Sequence, residues 1–321
     1  MDGDGRSAQR FGFESTTDDV LAGVDLGDRT MLVTGASTGL GEETTRALAA
    51  HGATVVMAVR DPVRGKAAAE RIRATAGAPV SLEIRQLDLA SLDSVRRFAG
   101  EFLAARSTLD VLINNAGLMA CPFGLTQDGH ELQWGTNHLG HFLLANLLRP
   151  ALLGAGRSRV VSLSSRGHSF SDIDLSDPRF DRGDYTPFVG YGRAKTANAL
   201  FAVGWDRRFG DQGSQAFSVH PGGIHTELGR NMTPETIAML SARLAEGGRV
   251  FQWKTIPQGA ATSVWAATAP ALDAHGGAYL EDCHVARLAA PGDEDGVLPY
   301  AIDPASADRL WDYSLAAVGL A

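Results

Sequence analysis

From Thr30 to about Val219, short β-branched or apolar runs alternate with longer amphipathic stretches, and this alternation limits the fold more than any other feature of the chain. A short apolar run suits a strand buried on both faces, and parallel strands need a long crossover, which an amphipathic helix supplies. The runs lie at 30–34, 54–59, 82–87, 109–113, 159–163 and 216–219. Helix patterns fill the gaps at about 40–50, 63–76, onward from Ser91 as N-cap, 129–153 and 191–209, the first stopping at His51-Gly52. The pattern predicts an α/β fold: a doubly wound parallel sheet of six to seven strands flanked by helices.

Composition narrows the classes of function. The 321 residues include 29 Lys and Arg against 37 Asp and Glu, for a net charge of −8, which repels phosphate backbones and anionic lipid. No nucleic-acid or membrane partner is expected, and no stretch reaches the roughly 18 apolar residues of a span. Only Cys121 and Cys283 are present, which excludes a disulfide framework and a paired-thiol zinc site and suits a reducing compartment, so a cytoplasmic location is expected. Residues 1–28 carry Asp2, Asp4, Glu14, Asp18 and Asp19 without an apolar core segment and read as a flexible acidic leader, leaving 29–321 as one domain.

Two segments break the alternation. Residues 166–189, rich in Asp and Arg, read either as a rim loop over a site or as a solvated surface excursion. Residues 227–256 carry Met232, Ile237, Met239, Leu240, Leu244, Val250, Phe251 and Trp253, partly at helical spacing, and read as a substrate lid, with core packing as the alternative. The run Asp293-Glu294-Asp295 reads as a solvated turn.

Chemistry enters with TGASTGLG after the first strand, where Gly35, Gly39 and Gly41 let the backbone turn sharply and approach a pyrophosphate at the N-terminus of the next helix. Tyr191 and Lys195, four apart, share a helix face. An ammonium beside a phenol stabilises the phenolate and brings its pKa down from about 10 toward the working range. Ser164 and Ser165 close the fifth strand at the carboxyl edge of the sheet, where ligands collect. His138 and His141 are three apart on a helix, but neither Cys nor carboxylate completes a ligand set, so no metal is expected.

Five motifs stand in one order: TGASTGLG, Asp88-Leu89, NNAG at 114–117, YGRAK at 191–195 and HPGGIHT at 220–226. Together they resemble the short-chain dehydrogenase/reductase family over about 30–226. TNHLGHF at 136–142 and KTANALF at 195–201 resemble its retinol-dehydrogenase and WW-domain-oxidoreductase branch. The membrane anchor of many retinol dehydrogenases has no counterpart here, so a membrane-borne retinoid role is not expected. The resemblance implies a Rossmann-type sheet. It implies dinucleotide contacts from Gly35, Ser37, Thr38, Gly39, Leu40 and Gly41, and adenine contacts from Asp88 and Leu89. Asn115, Ala116 and Gly117 then keep the sheet open beside the nicotinamide. Pro221, Gly222 and Gly223 turn under the cofactor, and Ile224 and Thr226 meet its carboxamide. The implied catalytic set is Asn137, Ser165, Tyr191 and Lys195, with Lys195 also on the ribose hydroxyls, Asn137 supporting a water-linked proton path, and transfer of the pro-S hydride. Ser164 is the alternative to Ser165.

Arg60 ends the second strand, where an acid would select NAD and an Arg pairs with a 2′-phosphate. NADP(H) is therefore preferred, with Ser37 as a second phosphate ligand and Asp61 capping the helix ahead of Pro62. NAD(H) is the other candidate. The expected activity is NADP(H)-dependent interconversion of a ketone or aldehyde with an alcohol on a bulky hydrophobic small molecule. The alternatives are a catalytically silent NADP(H)-binding sensor and an NAD-linked dehydrogenase of the same fold. Pairing through the two long helices would make a homodimer or homotetramer.

Overall fold

The computed structural model describes residues 11–183, 185–246, 252–290, 293 and 295–321. The strands are β1 (Thr30–Thr34), β2 (Thr54–Val59), β3 (Ser81–Gln86), β4 (Val111–Asn114), β5 (Ser158–Leu163), β6 (Ser214–His220), β7 (Tyr279–Glu281) and β8 (His284–Val285). They form one sheet in the order β3-β2-β1-β4-β5-β6-β7-β8, all parallel except β8. The chain reverses its winding between β1 and β4, and an open sheet of this kind binds ligands at that switch point.

The helices are α1 (Thr17–Leu21), α2 (Gly39–Ala50), α3 (Pro62–Thr75), α4 (Leu92–Ala105), the single turn α5 (Leu132–Trp134), α6 (Gly140–Gly154), α7 (Pro187–Phe209), α8 (Pro234–Glu246), α9 (Ile256–Thr268) and α10 (Pro304–Ala317). Alternation along the strands assigns them to two layers. Leu32, Leu112, Val160 and Ala216 bury one face of the sheet against α4, α6, α7 and α10. Met31, Val33, Ile113 and Phe217 bury the other against α2, α3 and α9. Register carries the pattern across strands, Leu32 standing beside both Val56 and Leu112. The predicted caps form: Asp61 Oδ1 accepts the Val63 N–H at 2.8 Å, Ser91 Oγ accepts from Ser94, and Gly52 takes φ +100° after α2.

Four expectations change. The sheet has eight strands rather than six to seven, because β8 is a two-residue return too short to show a period. Over its described part the leader carries secondary structure: α1 is closed by a capping box of Thr16 and Asp19, and Val20 and Leu21 are buried against the α2 and α9 layer. Its acidity serves this helix, since Asp19 is the box carboxylate and Asp18 pairs with Arg46 at 2.8 Å. The long helix expected over about 129–153 starts at Leu132 and is interrupted by a π-turn over Gly135–Leu139 between α5 and α6. Finally, α7 starts at Pro187, capped by Thr186, so the end of the 166–189 insertion belongs to it. Residues 1–10, Val250, Phe251 and Glu294 lie outside the described residues.

Candidate active site

A cleft of about 2850 Å³ runs along the carboxyl ends of β1 to β7. Pockets for one small molecule occupy about 300–1000 Å³, so this cleft has room for a dinucleotide and a second ligand. One end is built by the glycine loop. Gly35 and Gly39 take φ +65° and +56°, which side chains rarely adopt. A Cβ on Gly41 would stand 2.4 Å from the Gly35 carbonyl and 2.5 Å from Asn115 Nδ2, so only glycine lets these backbones meet. Thr38 precedes α2 without a side-chain cap, which leaves the first N–H groups of the helix facing the cleft. That cradle fits a pyrophosphate. Ser37, Thr38, Leu40, Arg60, Asp88, Leu89, Ala116, Gly117, Pro221, Gly222, Ile224 and Thr226 all line the same cleft, and Arg60 is exposed in it.

The middle of the cleft brings together Ser165, Tyr191 and Lys195. One face of α7 carries Tyr191 and Lys195, with the ammonium 5.5 Å from the phenol ring centre. Lys195 Nζ donates to the Leu163 carbonyl at 2.8 Å, and the Ser165 hydroxyl and Tyr191 ring meet at Gly167, where a Cβ would stand 3.3 Å from Ser165 Oγ and 2.5 Å from Tyr191 Cε1. Ser164 is engaged elsewhere: its hydroxyl donates to the Lys195 carbonyl at 2.7 Å. The two adjacent serines thus differ by strand alternation, one turned into the helix layer and one left at the cleft.

The expected lowering of the phenol pKa is absent. Burial pushes Tyr191 up to about 12, outweighing the opposing influence of Ser165 beside it, and pushes Lys195 down to about 8. Both groups have lost water, and desolvation disfavours the charged form of each. The phenol is therefore held as a proton donor at neutral pH.

Asn137 sits in the π-turn, a distortion that recurs at functional sites. Its side chain is spent on one backbone: Oδ1 accepts the Leu118 N–H at 2.8 Å and Nδ2 donates to the Leu118 carbonyl at 2.9 Å. Its own carbonyl lies 2.9 Å from His141 Nδ1. The proton positions here follow from counting. Thr34 Oγ1 accepts the N–H groups of Asn115 and Ala116, each at 2.9 Å, and its proton faces two acceptors, His141 Nε2 at 2.9 Å and the Ile113 carbonyl at 3.4 Å, of which the imidazole nitrogen is the nearer. His141 Nε2 is then an acceptor and Nδ1 must carry the proton given to Asn137. Burial holds this imidazole neutral, pushing it down to about 4. His138, the other histidine of the pair, bonds Ser314 Oγ at 2.9 Å instead.

The far end of the cleft is apolar. Met119, Cys121, Phe123, Phe170 and Phe188 line it, joined by Met232, Leu240 and Trp253 from the 227–256 segment. Phe170 and Phe188 come from the first insertion, so part of it faces the cleft as well as solvent. Ile237 and Met239 of α8 are exposed rather than core. The Cys121 thiol is buried, which pushes it up to about 11.

The sequence reading missed four residues at this site. Phe13, from the segment expected to be flexible, lines the cleft. His220 Nδ1 accepts the N–H groups of Arg166 and Gly222 at 3.2 and 3.4 Å, and burial keeps it neutral. Lys254 and Asp282 form an ion pair beneath the turn at Gly222. Only His220 stood inside a quoted motif.

The short chain dehydrogenase family profile matches residues 29–174. The chain is 42% identical over 299 residues to short-chain dehydrogenase/reductase prx1 of Penicillium roqueforti, covering 91% of this chain and 86% of that one. It is 38% identical over 304 residues to human retinol dehydrogenase 14, covering 91% and 87%. A crystal structure from Mycobacterium paratuberculosis superposes with a TM-score of 0.70 at 36% identity, over 92% of this chain and 95% of that one. Among the described residues no helix is long and apolar enough to cross a membrane. With its sheet, glycine cradle and buried phenol and ammonium in place, the chain belongs to the short-chain dehydrogenase/reductase family, in the branch of the retinol dehydrogenases, and is a pyridine-nucleotide-dependent oxidoreductase.

Proposed function

We propose that the protein reduces a bulky hydrophobic ketone or aldehyde with NADP(H), or oxidises the matching alcohol, using Tyr191 as acid and base. The observation that carries this reading is the convergence of the Ser165 hydroxyl and the Tyr191 ring at Gly167, in a cleft lined both by the glycine loop and by an apolar set of side chains. The bound dinucleotide supplies or accepts the hydride. Tyr191 gives its proton to the carbonyl oxygen as that oxygen gains charge, and Ser165 orients the same oxygen by a second hydrogen bond. Lys195 places positive charge beside the phenolate left behind. Asn137 holds the Leu118 backbone and so the wall opposite Lys195, where a Cβ on Gly117 would lie 3.4 Å from Asn137 Oδ1 and 3.8 Å from Lys195 Nζ.

The exposed guanidinium of Arg60 at the end of β2 supports NADP(H) over NAD(H). The aromatic and methionine wall supports an apolar substrate, with 227–256 as its lid. The test is NADPH oxidation with a panel of aromatic and long-chain carbonyl compounds. Tyr191→Phe should cut turnover about 10²- to 10⁴-fold while NADPH still binds. Unchanged turnover in that variant refutes the assignment.

A further inference from the structure

The hairpin turn between β7 and β8 consists of Asp282 and Cys283, and both have positive φ, +46° and +56°. A two-residue turn of this kind is ordinarily built from Asn-Gly, because side chains pay for that backbone in strain. Strain of this sort persists only where the surroundings fix it, and it concentrates at working sites. Here two side chains do the fixing. Cys283 is buried, and its N–H donates to Thr262 Oγ1 at 3.2 Å. Asp282 lines the cleft and pairs with the ammonium of Lys254, whose side chain is 1% exposed against 33% for Asp282.

Lys254 in turn supports the turn after β6. Its N–H donates to the Gly223 carbonyl at 2.9 Å and its backbone bridges Ile224. Its stem passes so close under Gly222, at φ +95°, that a Cβ there would lie 2.9 Å from Lys254 Cδ. The Phe13 ring, 4.9 Å from Nζ, covers the ammonium.

We propose that Asp282 and Lys254 are positioning residues for the dinucleotide: the carboxylate anchors the ammonium so that the lysine stem stays under Gly222 and holds the turn of Pro221, Gly222 and Gly223 in its binding shape. The inference rests on the dinucleotide reading of that turn. Without the carboxylate, a buried ammonium lacks a counter-charge and swings toward the water of the cleft, withdrawing the stem. Replacing both charges with apolar or absent groups removes that drive, as buried ion pairs tolerate replacement far better than the loss of one partner.

The experiment compares Asp282→Gly, Lys254→Met and the double variant by NADPH dissociation constant and by amide hydrogen exchange of residues 222–224 in the unliganded protein. Glycine suits φ +46°, so any loss in Asp282→Gly reflects the carboxylate and not the backbone. Asp282→Gly should bind NADPH about tenfold more weakly and exchange faster at 222–224, and the double variant should return to within about twofold of the parent on both measures. A double variant as weak as Asp282→Gly, or an Asp282→Gly with the parent's affinity and exchange, overturns the proposal. If the parent protein binds neither NADPH nor NADH, the dinucleotide reading has failed, and the exchange comparison still decides whether the ion pair shapes the turn.

Discussion

Lys195 faces Tyr191 across 5.5 Å with its ammonium already committed to the Leu163 carbonyl at 2.8 Å, so the cation is fixed by the end of β5 as well as by the helix that carries it. Asn198, one turn further along α7, donates to the same carbonyl at 2.9 Å. The position of the charge relative to the phenol is thus set by a strand end and two helix residues together.

This arrangement gives the reaction a defined pH dependence. Tyr191, pushed up to about 12, remains a phenol through the neutral range, whereas Lys195, pushed down to about 8, loses its charge within reach of ordinary buffers. Carbonyl reduction should be flat from about pH 6 to 8 and then fall, approaching tenfold per pH unit, as the cation that supports the phenolate disappears. Lys195→Arg keeps its charge at every pH and should carry its plateau past pH 9 at reduced height. An alkaline limb that stays in place in that variant assigns the titration to another group.

Arg60 should decide between the dinucleotides. Exposed at the end of β2 and lining the cleft, it offers a forked set of donors to a 2′-phosphate. Arg60→Asp should lower the preference for NADPH over NADH by on the order of 10- to 100-fold, read as the ratio of their dissociation constants. A ratio that does not move removes the argument.

Thr34 and His141 should behave as one unit. The hydroxyl joins the backbone of Asn115 and Ala116 to the imidazole, and the imidazole joins the carbonyl of Asn137. Thr34→Val and His141→Leu should each lower kcat about tenfold, and the double variant should be no worse than Thr34→Val alone, because either change already breaks the chain. Thr34→Ser keeps the hydroxyl and should recover most of the rate. Additive losses would show two independent sites.

Acid should unfold the protein through its buried histidines. Burial pushes His138 and His220 down to about 3 and His141 and His168 down to about 4, from 6.5. Below pH 6.5 the unfolded chain takes up protons that the folded chain refuses. The stability from these groups is therefore complete above pH 6.5 and is lost as pH falls toward 4. Each ring shifted from 6.5 to 4 or below loses about 2 kcal/mol between pH 7 and pH 5, so urea denaturation at the two values should differ by on the order of 7 kcal/mol for the four together. Equal midpoints at the two pH values would show that these rings are charged in the folded state.

Local rules made much of this protein legible. Strand and helix periods gave the first six strands to within two residues at either end, because each run is long enough to show its period and is closed by a cap such as Asp61, Ser91 or Gly52. The spacing of Tyr191 and Lys195 put both on one face of α7 without reference to any other element. The leader misled for a physical reason: Val20 and Leu21 are only two apolar residues, and their burial depends on α2 and α9, which no local pattern announces.

What the amino-acid order determined by itself is the set of local conformations and the residue types offered to the cleft: the glycines that admit a pyrophosphate, the helix face with phenol and amine, the serine pair at a strand end. What tertiary structure decided is which of those groups are desolvated and which are spoken for. Only packing raised the Tyr191 pKa, gave the Ser164 hydroxyl to Lys195, fixed the His141 tautomer and set Asp282 against Lys254. The reason is distance along the chain: these contacts join residues 28 to 107 positions apart in all but the phenol's case, and burial, which acts on the phenol, is a property of every element packed around it.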